Sequence, residues 1–554
     1  MGSTDRKEKE SNFIVQGGIL ALASVLVRII GLIYRIPMNN ILDTGIAVYS
    51  TAYSIYSLIW MIASFGVPTA VSRMVAQRIG QKRYKNVDRV FRTAILFSIV
   101  VGGLAAGVLF FGANFFANVV FRMPEIKYAL MILAPTVWIS TFIGAFRGFY
   151  QGLGTMIPTA ISQIAEQIVN AVMSIVGSYV LWNYGHKLDL EKGGKFYSDA
   201  YGAAGGTIGT ASGAVVALLV CIVIYVSSRP QLKKMASRDK SKRESTSRIM
   251  KILILTMLPI TLNSATYNIS SILDNSIFGN YMDAVRSHDL YLSMWAAYEG
   301  KYHLITHVPL AFATALSASA VPNLSKVIAS QADSKVVEGK IHLALRFSML
   351  IAIPSCIGLF ALADPVMSLL FAGTPKTNPL AATLVQMGCI TVLMYSFSTI
   401  TNGILQGIGK VSTPAKNALV ALVGHIIVLA VCLWIFKLDV YGVVISDIVF
   451  GLFMNILNYY SIRKEMTSFH LEIRKTFFLP FVSAVIMGGF TLVAYDACHF
   501  LCHSNAISTV FAIAVAVAVY AVALIKTHAM EEEDLRNFPK GRVLVRIAKK
   551  AHLL

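Results

Sequence analysis

The chain has 554 residues, of which 56% are hydrophobic and 14% charged, against about a quarter charged in an ordinary soluble chain. So few polar side chains cannot coat a globule in water, which excludes a water-soluble enzyme, and the composition excludes a collagen-like or disordered chain. The formal net charge of +20 is read as basic loops lying against anionic lipid, not as a nucleic-acid-binding surface.

A membrane-spanning helix needs about 20 mostly apolar residues. In chain order the pattern predicts fourteen: 13–36, 47–76, 93–118, 128–150, 158–184, 203–227, 252–281, 302–329, 343–372, 380–406, 414–436, 441–462, 476–499 and 507–526. The fold class expected is an all-α polytopic membrane protein. Two six-helix lobes, 1–227 and 252–462, flank a basic linker at 228–251; two further helices fill 463–526, and 527–554 is a tail. Placing both ends in the cytoplasm puts 33 Lys and Arg in inside segments and 8 in outside ones, a strong bias of the positive-inside kind. The six cysteines sit in or beside apolar runs and show neither a disulfide framework nor zinc-ligand spacing.

The lobes repeat. Gly148-x-x-Gln151-Gly152-x-Gly154 recurs as Gly403-x-x-Gln406-Gly407-x-Gly409, each followed by a proline, Pro158 or Pro414. Val67-Pro68 with Ser72-Arg73 recurs as Val321-Pro322 with Ser325-Lys326 at nearly the same offset. An even number of helices per repeat predicts parallel halves, with the substrate held between them.

Several polar residues fall inside the apolar segments. In the first, Arg28, Gly31 and Arg35 share a helical face. Arginine matches phosphate oxygens bidentately, and an arginine at mid-span costs at least about 2.5–3.5 kcal/mol unless a partner or cavity receives it. A structural ion pair, or snorkelling for Arg35, is the competing account. In the fifth segment Gln163, Glu166, Gln167 and Asn170 form a polar stripe, with coupling or gating on one side and pairing of Glu166 with Arg147 on the other. In the seventh, Asn263, Tyr267, Ser270 and Asp274 line one face. They are expected to line a cavity, with Asp274 pairing with a first-segment arginine or binding a coupling cation or proton; interhelical hydrogen bonding is the competing account. Lys301, His303 and His307 supply basic groups at the start of the eighth. His425 reads as a core histidine, and Asp447 is an acid with no assigned partner. No Ser-His-Asp set, H-E-x-x-H or Walker motif is present, so neither enzyme activity, nor a metal, nor a cofactor is expected.

The run Arg28-x-x-Gly31 with Tyr34-Arg35-Ile36-Pro37, SFGVPTAVSRMVAQ (64–77), FRGFYQGLGTMIPTAISQIAEQIVN (146–170), VPNLSK (321–326) and LQGIGK (405–410) resembles the multidrug/oligosaccharidyl-lipid/polysaccharide exporter superfamily. The likeness is greatest to the branch of lipid II flippases and stage V sporulation protein B. It implies fourteen helices in two lobes around a central cavity that works by alternating access. It implies a polyprenyl-diphosphate-linked saccharide substrate, with lipid II foremost, flipped from the inner to the outer leaflet. A bacterial cell-membrane location, a monomer among membrane lipids, and drive from membrane potential, proton or monovalent cation accompany it. Substrate binding falls by this resemblance on Arg28 and Gly31. Arg35 stands one residue beyond the spacing of a second arginine in Gram-negative lipid II flippases. Their second-segment arginine has no counterpart here, and Lys301 or His307 is the candidate substitute for the one in the eighth. The alternatives are a drug/cation antiporter of the same superfamily and a capsule or spore-cortex polysaccharide exporter. A glycosyltransferase or ligase on the same carrier would need a larger outer loop than 185–201 or 282–299 provides.

Overall fold

The computed structural model describes residues 19–20, 22–237, 239, 241–329, 333–530, 532, 545–546 and 549, and among them every regular element is helical. The first six spans are α1 (Leu22–Leu42), α2 (Gly45–Gly80), α3 (Tyr84–Val120), α4 (Ile126–Gly152), α5 (Ile157–Lys192) and α6 (Phe196–Pro230). Then come α7 (Thr246–Val285), the short α8 (His288–Trp295) and α9 (His303–Ala329). The rest are α10 (Ser334–Ala361), α11 (Pro375–Gly388), α12 (Ile390–Gly407), α13 (Thr413–Ile435), α14 (Val440–Glu465), α15 (Arg474–Cys502) and α16 (Asn505–Lys526).

Among the described residues eleven helices are long and apolar enough to cross a membrane, and α11–α12, bent by 50°, makes a twelfth. The chain is a multi-pass membrane protein. The sequence predicts fourteen spans. The two beyond these twelve fall on α7 and α9, of 40 and 27 residues, long enough at about 1.5 Å per residue to cross about 30 Å of hydrocarbon.

The chain divides into two compact units, Met1–Ala296 and Ala297–Leu554. This division lies after α8, whereas the sequence places it at 228–251, so the compact units and the sequence repeats part at different points. Polar bonds that hydropathy does not reveal hold α7 in the first unit. Asn275 Nδ2 donates to Thr51 Oγ1 at 2.6 Å, and Ser276 Oγ and Asn280 Nδ2 both donate to the Val120 carbonyl, at 2.9 and 3.0 Å.

In the first unit α5 and α6 pack almost backbone to backbone. A Cβ on Gly205 would stand 2.1 Å from the Gly177 carbonyl oxygen, and one on Gly209 would stand 2.4 Å from the Ser174 nitrogen. Small residues four apart permit this approach, and the signal is legible in GAAGGTIGTASG (202–213).

The repeated glycine turns share one geometry. Gly154 and Gly409 have φ of +85° and +87°, a left-handed conformation that closes a helix and suits glycine. Each amide donates at 3.0 Å to the carbonyl of its glutamine, Gln151 or Gln406. Upstream, Gly148 meets the backbone of Pro68 in the first unit, and Gly403 meets Ser317 in the second. In the second unit α16 attaches to earlier elements through Tyr520 Oη to the Leu350 carbonyl, 3.0 Å, and Asn505 Nδ2 to the Pro365 carbonyl, 3.1 Å, and α15 joins it where Tyr495 Oη donates to Asn505 Oδ1 at 2.9 Å. Phe490, Val493, Val510 and Val517 are left exposed on those two helices, as lipid-facing residues would be.

Candidate functional site

The site is built on α1. Its helix is interrupted by a turn at Tyr34, three residues before Pro37, whose ring lacks the N–H that the Ile33 carbonyl would otherwise receive. Before the turn lies Arg28, exposed, with no ion pair or hydrogen bond to any described residue. The expected partnership with Asp274 is not formed. Asp274 lies within the first unit at 2% exposure, with Ser270 Oγ 3.5 Å away.

After the turn, the guanidinium of Arg35 lies 5.6 Å over the ring of Tyr53. Tyr53 stacks on Tyr49 at 5.9 Å and packs beside Tyr56 at 5.7 Å, while the hydroxyls of Tyr34 and Tyr49 are 3.3 Å apart. This ladder escaped the sequence reading. Its signal was present, since Tyr49, Tyr53 and Tyr56 at i, i+4 and i+7 share a helical face. A ring quadrupole holds a cation without neutralising it, so Arg35 stays charged and oriented.

Facing α1 is α5. A Cβ on Gly31 would come 3.3 Å from Gln167 Nε2, so this glycine is where the two helices approach. The rest of the fifth-segment stripe separates by role. Glu166 Oε2 accepts from Arg147 Nη2 at 2.6 Å, and Arg147 Nε donates to Ser162 Oγ at 2.9 Å. The pairing account of Glu166 is therefore the one seen. Asn170 Oδ1 accepts from Ser174 and from Thr210 on α6, at 3.1 and 3.4 Å, a structural role at the α5–α6 crossing. Gln163 keeps a buried Oε1 with no partner among the described residues. The side chains of Asn263 and Tyr267 lie outside the described residues.

Lys301 and His307 belong to the second unit. The Lys301 ammonium is 1% exposed. Its three protons meet the Thr374 carbonyl at 2.9 Å, Thr377 Oγ1 at 2.7 Å and Asn378 Oδ1 at 2.6 Å. Lys301 thus pins its helix to the 374–378 turn and presents no proton to a ligand, contrary to its assignment as a substrate residue. His307 is exposed, with Nδ1 2.7 Å from the His303 carbonyl, and His303 pairs with Glu299 at 3.0 Å. Asp447 accepts from Tyr298 at 2.6 Å and from Tyr395 at 3.3 Å. His425 is fully buried, with Nδ1 2.8 Å from the Ser446 carbonyl.

At the start of α4 the buried Glu125 meets His288 Nε2 at 2.8 Å. That hydrogen bond, opposed by partial burial, raises the His288 pKa above its ordinary 6.5. A raised folded-state pKa contributes stability that is complete below the unfolded value and is lost as pH climbs through the folded one. Thermal unfolding of the full chain in detergent, with and without His288→Gln, should show the wild-type advantage below about pH 6.5 and its loss at alkaline pH. An advantage growing with pH would contradict this pairing.

The chain is similar to known proteins in sequence and in fold. The pattern of the family described as polysaccharide biosynthesis protein matches residues 14–328, and that of the MatE family matches 305–431. The lipid II flippase MurJ of Bacillus subtilis (strain 168) is 23% identical over 522 residues, covering 91% of this chain and 93% of that protein. Stage V sporulation protein B of the same strain is 23% identical over 536 residues, covering 95% and 98%. A solved structure of lipid II flippase MurJ in an inward closed conformation matches with a TM-score of 0.62 at 16% identity, covering 91% of this chain and 97% of that one. That likeness shows a shared fold.

Proposed function

The chain belongs to the polysaccharide biosynthesis protein family, within the multidrug/oligosaccharidyl-lipid/polysaccharide exporter superfamily, and from that membership we propose that it flips a polyprenyl-diphosphate-linked saccharide from the inner to the outer leaflet. The substrate we assign is the peptidoglycan precursor lipid II, which the name of its Bacillus subtilis relative carries. The observation that supports this most is Arg28: a guanidinium within a span, exposed, and without a partner among the described residues. Such a charge costs at least about 2.5–3.5 kcal/mol in the bilayer, and a diphosphate is the anion whose oxygens fit its two-pronged donor face.

Arg35, steadied on Tyr53, supplies the second positive charge. The polyprenyl tail can stay in lipid while the headgroup, which cannot cross hydrocarbon unaided, exchanges its water shell for these donors. An inside-negative potential favours outward movement of an anion by about 2.3 kcal/mol per charge per 100 mV, so no nucleotide is required. The Arg147–Glu166 pair is the candidate coupling element, opened by a proton or monovalent cation. The basic bias assigns both termini to the cytoplasm of a bacterial cell, with the monomer as the working unit.

A second reading, a drug/cation antiporter, draws on the MatE match at 305–431 and on the tyrosine ladder, whose faces attract cations. Arg35 already occupies the Tyr53 ring, which weighs against it. The test is reconstitution of the full chain into liposomes carrying fluorescent lipid II or another undecaprenyl-diphosphate saccharide, with leaflet accessibility as readout. Lipid II should become accessible in the opposite leaflet. Movement of the other saccharide alone would change the substrate, and uptake of an organic cation with neither lipid moved would overturn the reading.

A further inference from the structure

The first unit contains a charged cavity whose lining is remote in sequence from the α1 arginines. It has a volume of about 740 Å³ and lies where the end of α2, the start of α3 and the end of α6 meet the 239–246 segment. Ligand pockets commonly enclose about 300–1,000 Å³. Five cations line it, Lys85, Arg89, Arg92, Arg229 and Arg243, against one carboxylate, Asp88. Phe149 and Tyr225 add an aromatic wall, held in a cluster with Phe91, whose ring is 4.8 Å from that of Tyr225.

The wall facing the helices is built, not draped. Asp239 accepts from the Lys85 amide at 2.8 Å and the Ser241 amide at 2.6 Å. Asn86 clasps the same segment, accepting from the Glu244 amide at 2.9 Å and donating to the Lys242 carbonyl at 3.0 Å. Glu244 then pairs with the buried Arg78 at 2.6 Å. Asp239, Lys242 and Glu244, in a stretch that reads in the sequence as a basic linker, are thus each pinned to α2 or α3.

This arrangement uses up the nearby acids. Asp239 is held by amides, Glu244 by Arg78, and Asp88 by Arg92 at 2.8 Å. Arg229 and Arg243 form no ion pair or hydrogen bond with any described residue. Arg89 donates Nη2 to Thr246 Oγ1 at 3.2 Å, while its buried Nε has no partner among the described residues. Like charges gathered in a partly enclosed space repel, and a buried guanidinium donor without an acceptor is costly. A multivalent oxyanion relieves both at once.

We propose that this cavity is a binding site for a phosphate-bearing anion, separate from the flipping route. Guanidinium groups suit phosphate by charge and by bidentate geometry, and the aromatic wall can receive an apolar or planar part of the same ligand. The phosphate comes either from an anionic phospholipid headgroup or from a soluble phosphorylated molecule.

The test uses the full chain purified in a neutral detergent and carrying Arg28→Gln, which removes the unpaired guanidinium of α1 and leaves any Arg35 contribution the same in both chains compared. The probes are inorganic pyrophosphate, short-chain phosphatidylglycerol and, as control, short-chain phosphatidylcholine, followed by titration calorimetry. They are compared with the same chain bearing Arg229→Gln and Arg243→Gln, two positions whose lack of described partners should leave unfolding temperature unchanged. Pyrophosphate or phosphatidylglycerol should bind saturably, and the double substitution should weaken it by roughly a hundredfold, about tenfold per charged hydrogen bond lost. Pyrophosphate binding would identify soluble phosphate as sufficient, and binding of phosphatidylglycerol alone would identify the lipid headgroup. Binding of neither, equal binding of phosphatidylcholine, or an affinity that ignores the double substitution would overturn the proposal.

Discussion

Gly205→Leu should abolish the folded, monodisperse protein. The substituent's first carbon would stand 2.1 Å from the Gly177 oxygen and 2.8 Å from the Ser178 nitrogen. Both are backbone atoms of a neighbouring helix, so no rotamer change can relieve the overlap. Either α5 and α6 separate or the backbone distorts. Overpacking a core costs typically about 1–3 kcal/mol where side chains can adjust, and here the cost should be at least about 3 kcal/mol because they cannot. The separation would also break the bonds from Ser174 to the Gly206 carbonyl and from Thr210 to Asn170. Size-exclusion profiles and unfolding temperature in detergent give the readout, with Gly107→Leu as the control, since a Cβ there meets nothing within 4 Å. A Gly205→Leu chain as monodisperse and stable as Gly107→Leu would refute the close crossing.

Arg28→Lys should reduce lipid II flipping at least about tenfold while leaving insertion and unfolding temperature intact. Lysine preserves the charge but loses the planar fork that donates to two phosphate oxygens, and a charged hydrogen bond is worth about 1.5–3 kcal/mol. Arg28→Ala should lose more. The combination Arg28→Ala with Asp274→Ala should remain inactive, because Arg28 has no described carboxylate partner and Asp274 is buried apart from it. Were Arg28 the structural mate of Asp274, the neutral pair would recover activity relative to either single change. Recovery in that double variant would remove Arg28 from the substrate route.

The two charged helix-1 residues illustrate how far a linear reading reaches. Arg28 and Arg35 were legible as functional candidates because an arginine in an apolar segment needs an explanation whatever its surroundings. Lys301 met the same criterion and has a different role, since its acceptors come from 374–378, more than seventy residues away, and no local pattern announces them. Glu166 was open between coupling and pairing until the α4–α5 turn brought Arg147 within 2.6 Å. The tyrosine ladder and the glycine stripe of α6 were both periodic in the sequence, yet a period states which residues share a face and leaves open what that face meets.

Composition, hydropathy and motif repetition by themselves determined the all-helical membrane class, the approximate spans, the repeated glycine turns and the arginines on α1. These properties follow from local physics: a bilayer's thickness sets helix length, and glycine alone readily takes the left-handed turn at Gly154 and Gly409. Tertiary structure alone decided that α7 packs with the first unit, that Asp239, Lys242 and Glu244 are clasped instead of lying in a loose linker, and which charges are spent. Those outcomes depend on pairs such as Asn275–Thr51, Asn86–Glu244 and Arg78–Glu244, each separated by more than 150 residues. A hydrogen bond or ion pair is set by distances of a few ångströms, and only the folded chain brings such distant groups that close.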